Sequence, residues 1–385
     1  MKFAAIYRNI NPDKPVKQAG FIQQTDPISE VHDDLQLRLL ALEDETQIIF
    51  LASLDILGVN LEFEEKVEAE YQKHYDKKVH LILHATHTHF GGNPKDEDYQ
   101  KQVYQHLLKA REDLKFQEYE NLRVTYSSEP FTKIGQSRIS DHQPYGVFLD
   151  VLAILNGEVP LAVYFIYNCH PTILSGYTPY FTSEYPGQTI RKLKEQYPGV
   201  FFSFGQSAAG DVSTRFTRKS QEYPQVEAFA ELLAQEVSDQ LKKPQLSCRL
   251  TLEYRQSILS LEHEILDMDS LPIPENLTDR EKETIRYGAI SRQEKLKNPE
   301  NLSKSEKISC VSLGEVRLIF APNELFSDYL RALDKSHASL ICYANGYEPY
   351  VVPVGFKRLT YEFFTDTFTQ KTKQDLFALL TSFGN

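Results

Sequence analysis

The sequence predicts an α/β protein with a mixed β-sheet core and flanking helices, organised as a single large domain. Short apolar runs alternate along the chain with segments whose apolar residues recur every three or four positions. This alternation is typical of strands and helices in turn. A chain of 385 residues is also long enough to bury a large core.

The elements follow from the two periodicities. Apolar runs predict strands at 47–53, 79–84, 147–155, 160–167, 200–204, 316–321 and 339–344. Helical spacing predicts helices at 61–75, 98–114, 187–197, 225–241 and 324–333. Residues 265–307 are the most polar stretch and predict a partly helical surface insertion. Strand-like sequence resumes after them, so we do not interpret them as a linker, and one domain over 1–385 is expected.

Composition excludes several classes of protein. Hydrophobic residues make up 41% and charged residues 25% of the chain, as in soluble globular proteins. The net charge of −12 and the lack of a basic block argue against a nucleic-acid partner. No run approaches the roughly 18 apolar residues of a transmembrane segment. The four cysteines show no CxxC spacing, which predicts reduced thiols and a cytoplasmic location. The oligomeric state does not follow from the sequence.

The richest segment chemically is His84-Ala-Thr-His87-Thr-His89-Phe-Gly-Gly, which follows the largely apolar run 79–83. Alternate residues of an extended chain share a face, so His87 and His89 are expected to point the same way. His84 lies on the other face and is expected to be structural. Because neutral imidazole is a preferred ligand of zinc, the segment predicts a metal or catalytic site.

A second apolar run, 160–167, is followed by Asn168-Cys169-His170-Pro171. Proline has no N–H to donate, so the ladder is expected to stop there and leave His170 at the strand end. Ligand sites in α/β sheets gather at the carboxyl ends of strands. The sequence therefore predicts that His170 lies near His87.

Three further segments carry weaker signals. The small residues around Gly210 lead to Asp211 and Ser213, a pattern typical either of a ligand-binding loop or of an ordinary turn. Glu324 follows Pro322 and is predicted in the first turn of a helix, where the helix dipole favours acidic residues. Tyr347 follows the predicted strand 339–344 and, taken alone, is expected to be a rim aromatic.

Together these segments resemble the neutral/alkaline ceramidase family in the order and wording of its motifs. The matching stretches are Val31-His32-Asp33 with Arg38, Ser53-Leu54-Asp55, Ala85-Thr86-His87-Thr88-His89, the strand-end His170, Glu184-Tyr185-Pro186-Gly187, Gly210-Asp211-Val212-Ser213, Pro322-Asn323-Glu324 and Ala344-Asn345-Gly346-Tyr347. They extend from about residue 20 to 365, nearly the whole chain. The resemblance covers the family's catalytic domain and implies no C-terminal immunoglobulin-like domain in this chain.

The resemblance implies a Zn2+-dependent amidohydrolase acting on an N-acyl amide, ceramide-like or smaller. Its zinc ligands would be His87, His170, Glu324 and Tyr347. Its catalytic and substrate-contacting residues would be His89, Arg138, Asp211, Ser213 and Tyr347. The family places the first two of these at the polar head of the substrate and the next two beside the reacting carbonyl. Zinc lowers the pKa of bound water to about 7, and the residue that accepts the proton stays unassigned.

Two alternative hypotheses about the function remain. Metallo-β-lactamase-type hydrolases also carry His-x-His after a strand, but their motif continues with x-Asp-His, where this chain has Phe90-Gly91-Gly92. A non-catalytic binding protein on a hydrolase scaffold is the alternative from another class. The metal content separates the three: one bound zinc for the amidohydrolase, two for the lactamase type and none for the scaffold.

Overall fold

The computed structural model of the chain describes residues 1–21, 24–139, 142–266, 277–297 and 305–385. The strands are β1 (Lys2–Asn9), β2 (Gln36–Glu43), β3 (Gln47–Leu54), β4 (Lys78–Ala85), β5 (Gln117–Glu118), β6 (Leu122–Pro130), β7 (Gln136–Ser137), β8 (Phe148–Asn156), β9 (Val159–Tyr167), β10 (Phe201–Gln206), β11 (Val212–Ser213), β12 (Leu246–Arg249), β13 (Leu252–Ser260), β14 (Ser305–Leu313), β15 (Val316–Phe320), β16 (Asn323–Leu325), β17 (Ala338–Ile341) and β18 (Glu348–Val351).

The larger sheets are mixed, and each has a pair of parallel strands at one edge. Within the described ranges, the first sheet has the order β4-β3-β2-β1-β5, the second β10-β9-β8-β6-β12 and the third β13-β14-β15-β17. The parallel pairs are β3 with β4, β9 with β10 and β15 with β17. The carboxyl ends of the parallel strands are therefore available to build a site.

Helices cover the outer faces of the sheets. They are α1 (Leu61–Gln72), α2 (Glu97–Asp113), α3 (Glu184–Gln196), α4 (Tyr223–Leu241), α5 (Asp279–Lys297), α6 (Tyr361–Thr365) and α7 (Gln370–Gly384). One buried apolar cluster joins α1, α2 and α7 to the first and third sheets, and a second joins α3 and α4 to the second sheet. A third cluster lies between the inner faces of the three sheets. Among the helices that the structure describes, every one is too short or too polar to span a lipid bilayer.

The predicted fold class is confirmed: this is an α/β domain with mixed sheets and flanking helices. The predicted strands correspond to β3, β4, β8, β9, β10, β15 and β17, and four predicted helices correspond to α1–α4. Within the predicted surface insertion lies α5, while residues 267–276 and 298–304 are outside the described residues. The sequence interpretation missed β1, β2, β6, β13, β14 and α7, together with the shorter elements β5, β7, β11, β12, β16, β18 and α6.

The helix predicted at 324–333 is wrong at its start. Glu324 lies in β16, which pairs in parallel with β18, and helical turns of the 3-10 type begin only at Ser327. The dipole argument for an acidic first turn therefore does not apply to Glu324. Backbone pairing with a strand more than twenty residues away outweighs the local preference, and no local pattern signals that pairing.

A buried ion pair supports the end of β4. Both guanidinium Nη atoms of Arg38 donate to the Asp55 carboxylate at 2.7 Å, and the side chains are only 2% and 0% exposed. The same carboxylate accepts hydrogen bonds from the Gln36 backbone N–H and the Thr86 hydroxyl. Because Thr86 directly precedes His87, the Arg38–Asp55 pair helps to fix the backbone at His87.

Glu184, at the start of α3, predicts a pH dependence of stability. Burial raises the pKa of its carboxyl from 4.5 to about 7. The folded chain therefore keeps this proton to higher pH than the unfolded chain does. Its stabilising contribution is complete below about pH 4.5 and is lost as pH rises to about 7, by up to about 3 kcal/mol.

Glu184→Gln is expected to flatten the fall in unfolding free energy between pH 4.5 and 7, measured by urea denaturation at several pH values. The matched control is Glu158→Gln at an exposed position, which should leave the slope of the wild type. An identical slope in Glu184→Gln and the wild type would contradict this reading.

Candidate metal centre

The carboxyl ends of the parallel strands meet at one point. Hydrogen bonds between backbone groups join them, from Ala85 N–H to Tyr343 O at 3.1 Å and from Cys342 N–H to Gln206 O at 2.8 Å. The residues that follow these strands are thereby brought together, among them His87 after β4, His170 after β9, Glu324 after β15 and Tyr347 after β17. Strand-end convergence is what the sequence predicted for His87 and His170.

His87 is held in an unusual backbone conformation. Its φ of 62° lies in the left-handed region, which costs a non-glycine residue about 1–3 kcal/mol and is concentrated at functional sites. The ring is 1% exposed and stacks on Tyr343 with centroids 3.9 Å apart. Its Nδ1 lies 2.8 Å from the Leu57 carbonyl oxygen. Since Nδ1 must donate there, Nε2 carries the free lone pair.

His170 is oriented in the same way. Its Nδ1 lies 2.7 Å from the Ala209 carbonyl oxygen, so Nδ1 carries the proton and Nε2 the lone pair. Nε2 lies 3.1 Å from a carboxylate oxygen of Glu324. Burial lowers the pKa of the His170 imidazole, which favours this neutral form.

Glu324 and Tyr347 complete the group. The Tyr347 hydroxyl donates to Glu324 Oε1 at 2.8 Å, while Glu324 Oε2 lies 3.6 Å from Nε2 of His87. Burial alone would raise the pKa of Glu324, but positive charge at His87 and His170 brings it well below its ordinary value. The carboxylate is therefore ionised when a cation, either a proton or a metal ion, lies between it and the two imidazoles.

These residues fit a zinc ion. With neutral rings, the imidazole lone pairs of His87 and His170 both face the Glu324 carboxylate, so three acceptors point toward one another, and among the described residues the hydroxyls of Tyr347 and Tyr350 are the nearby proton donors. Such an arrangement needs a cation to offset the repulsion. Two imidazole nitrogens and two oxygens form a normal zinc donor set, and the Nδ1 contacts to backbone carbonyls are the outer contacts such ligands usually have.

His89 lies beside this group, but the contacts that hold its ring differ from those of His87 and His170. Its Nε2 is 3.4 Å from Nε2 of His87, and the ligand atoms of His87, His89 and His170 lie within 4.8 Å of one another. However, its Nδ1 is buried and has no hydrogen-bond partner among the described residues, and a Cβ on Gly20 would lie 2.4 Å from that atom. Burial lowers the pKa of His89 well below its ordinary value. Because the His89 ring is neutral and its Nδ1 is not held by a described protein group, His89 is better suited to contact a substrate than to bind a metal ion.

For the zinc hydrolase that the resemblance implies, we expect His89→Ala to keep the metal and to lose hydrolysis by about 100- to 10,000-fold, the range for a lost proton-transfer or substrate-polarising group. Metal content of the dialysed protein and its turnover number are the two measurements. Loss of metal from His89→Ala would instead make His89 a ligand.

Arg138 reaches the group through Tyr350, which the sequence interpretation missed. The guanidinium lies 5.0 Å from the centre of the Tyr350 ring and pairs with Glu362 at 2.8 Å. The Tyr350 hydroxyl lies 3.4 Å from Nε2 of His170. In the sequence, Tyr350 comes three residues after Tyr347, in Tyr-Glu-Pro-Tyr. This closeness to a motif residue is the sequence feature that could have pointed to it.

The described side-chain contacts of Asp211 are with residues other than His87, His89 and His170. Its carboxylate accepts hydrogen bonds from the backbone N–H of Ser327 at 2.6 Å and from the Ser327 hydroxyl at 2.8 Å, and it contacts His142 Nε2 at 3.2 Å. Ser213 forms a backbone bridge with His170 and is 4% exposed, which keeps it beside the group. His84 is buried, with Nε2 2.9 Å from the Tyr164 hydroxyl.

The chain has the fold of the neutral ceramidases, as the resemblance implied. A structure described as a ceramidase complexed with C2 matches with a TM-score of 0.77 and 13% identity, over 100% of this chain and 74% of its own. The crystal structure of neutral ceramidase from Pseudomonas aeruginosa matches with a TM-score of 0.74 and 14% identity, over the same shares. No family profile and no curated protein sequence matches significantly. At this identity the likeness shows the fold, and the reaction is a matter for proposal.

Proposed function

We propose that the chain is a zinc-dependent amidohydrolase that hydrolyses a linear N-acyl amide, in ceramide or a smaller molecule. The observation that supports this most is the convergence of the His87 and His170 lone pairs on the Glu324 carboxylate, beside Tyr347. The two structural neighbours described as ceramidases add support, because ceramidases cleave an amide bond.

In this proposal His87, His170, Glu324 and Tyr347 hold the zinc, which when bound polarises the scissile carbonyl and lowers the pKa of a water to about 7. The residues around the zinc accept protons or stabilise developing charge. Neutral His89 accepts a hydrogen bond or a proton from a reacting group.

Tyr350 and Arg138 act on the substrate oxygen atoms. Burial raises the pKa of Tyr350 well above its ordinary value, so its hydroxyl keeps its proton and donates to the developing oxyanion. Arg138 donates to the polar head of the substrate. Ser213 lies beside His170 and is proposed to donate to the reacting carbonyl.

We propose that Asp211 acts through other residues instead of touching the substrate. It accepts from Ser327, three residues after Glu324, and its backbone oxygen accepts from the Arg138 N–H at 2.8 Å. It thereby ties the segment of the proposed ligand Glu324 to the segment of Arg138.

Metal analysis and an activity screen test the proposal together. The purified protein is expected to hold one zinc per chain and to hydrolyse at least one member of a panel of ceramides, N-acyl amino acids and small amides. Chelation should abolish the activity and added zinc should restore it. Two metals per chain would favour the lactamase-type hydrolase, and fully zinc-loaded protein inactive on the whole panel would favour the scaffold.

The cytoplasmic location remains a prediction from the cysteines. Cys169, Cys248, Cys310 and Cys342 are all free thiols, as that prediction requires.

A further inference from the structure

Tyr343 is a fully buried residue beside the proposed metal centre, and the proposed mechanism gives it no role. It lies just after β17, where the three larger sheets meet. The backbone N–H of the preceding Cys342 donates to Gln206 of the second sheet at 2.8 Å, and the Tyr343 carbonyl accepts from Ala85 of the first sheet at 3.1 Å. Since β17 belongs to the third sheet, the backbone at Tyr343 joins all three.

The backbone at Tyr343 is strained. Its φ of 56° lies in the left-handed region, as does the φ of 62° at His87. Residues other than glycine adopt this region at a cost and keep it only where the surrounding structure fixes them. The two strained residues belong to segments joined by the hydrogen bond from Ala85 to Tyr343. The fold therefore sets the placement of Tyr343 against His87.

The Tyr343 ring covers one face of the His87 imidazole. The ring centroids are 3.9 Å apart and the ring planes are inclined by 20°. The contact of Nδ1 with the Leu57 carbonyl holds one edge of the imidazole, but a ring held at one edge can still rotate about that contact. A ring stacked on its face removes this freedom. The Nε2 lone pair is thereby kept toward the Glu324 carboxylate, 3.6 Å away.

The hydroxyl of Tyr343 does not explain why a tyrosine stands here. It is buried and has no hydrogen-bond partner among the described residues, which by itself destabilises a protein. Tyr71 of α1 lies in the same apolar cluster, and its hydroxyl donates to the Leu107 carbonyl of α2 at 2.7 Å. The part of Tyr343 that contacts the proposed centre is therefore the ring.

We propose that Tyr343 is a positioning residue of the metal centre and acts through His87. Its ring fixes the plane of the imidazole, and its carbonyl fixes the strand end that leads to His87. This role rests on the proposed function, because it requires His87 to be a metal ligand. It extends that function by one residue that touches neither the metal nor the substrate.

The variants Tyr343→Phe and Tyr343→Leu separate the ring from the hydroxyl, with zinc affinity measured by competition with a chromophoric chelator. Tyr343→Phe keeps the stacked ring and is expected to bind zinc like the wild type. Without metal it should melt about 1–4 °C higher, because the unpaired hydroxyl is gone. Tyr343→Leu loses the flat ring face and is expected to bind zinc about tenfold or more weakly, the usual effect of losing an outer contact of a ligand. Tyr343→Met replaces the leucine variant should that variant not fold.

The matched controls are Tyr71→Phe and Tyr71→Leu, since Tyr71 is equally buried and its hydroxyl is partnered. Both should lower the melting temperature and leave zinc affinity unchanged. Wild-type zinc affinity in Tyr343→Leu, or an equal loss of affinity in Tyr71→Leu, would overturn the role of Tyr343 alone. A lower melting temperature of Tyr343→Phe would show that its hydroxyl has a partner and would overturn the role as well. A wild-type protein that binds no zinc would refute the metal centre itself, and the role of Tyr343 with it.

Discussion

His87→Ala is expected to release the metal and to lower hydrolysis of an N-acyl amide by more than about a hundredfold, and His170→Ala is expected to do the same. Removal of an outer contact of a metal ligand already costs about 10- to 100-fold in affinity, so removal of the ligand costs more. Each change also leaves the Glu324 carboxylate with one facing imidazole instead of two. Metal content after dialysis and steady-state turnover are the measurements.

His74→Ala is the matched control because His74 is an exposed imidazole at the end of α1. It should keep both metal and activity. Full activity with bound metal in either His87→Ala or His170→Ala would refute the proposed centre, whatever the substrate is.

Arg38→Met is expected to lower the free energy of unfolding by about 3–5 kcal/mol, the usual cost of leaving a buried charge without its partner. Methionine keeps much of the volume of the side chain but removes both donors to Asp55. The remaining carboxylate still has the Gln36 N–H and the Thr86 hydroxyl, but no cation within the pair. Urea denaturation followed by circular dichroism gives the change.

Arg123→Met removes an arginine of the same kind from an exposed pair with Glu158, whose side chain is 90% exposed. Exposed pairs contribute about 0–1 kcal/mol, so this control should differ little from the wild type. A loss below about 1 kcal/mol in Arg38→Met would show that Asp55 does not depend on its cation, and the buried pair would then be of little consequence for folding.

Strong local patterns account for the parts of the fold that could be predicted. The run 81–83 of β4 and nearly all of β9 are apolar because both faces of their sheets are covered, and each run stops abruptly at polar residues. This made the strand ends, and with them His87 and His170, visible without a structure. By contrast, β2 includes Arg38 and was missed, because its buried arginine has a partner only in the folded chain.

Local reasoning failed where the partner of a residue is distant along the chain. Glu324 looked like a helix start, but it pairs with β18. The resemblance implied Asp211 beside the reacting carbonyl; its described side-chain contacts are with Ser327 and His142, and its role stays a prediction. Tyr350 and Glu362 were not singled out at all, since neither lies in a motif with a recognisable spacing.

By itself the sequence determined the fold class, the histidine segment and the residue types able to bind zinc, because these depend on composition and on spacing along the chain. The tertiary structure decided which strand ends meet and which nitrogen of each ring is free. The Nδ1 atoms of His87 and His170 donate to carbonyls of Leu57 and Ala209, thirty residues or more away along the chain. That donation turns both lone pairs toward Glu324, and the packing of separate sheets brings the two Nε2 atoms to 3.6 Å and 3.1 Å from its carboxylate.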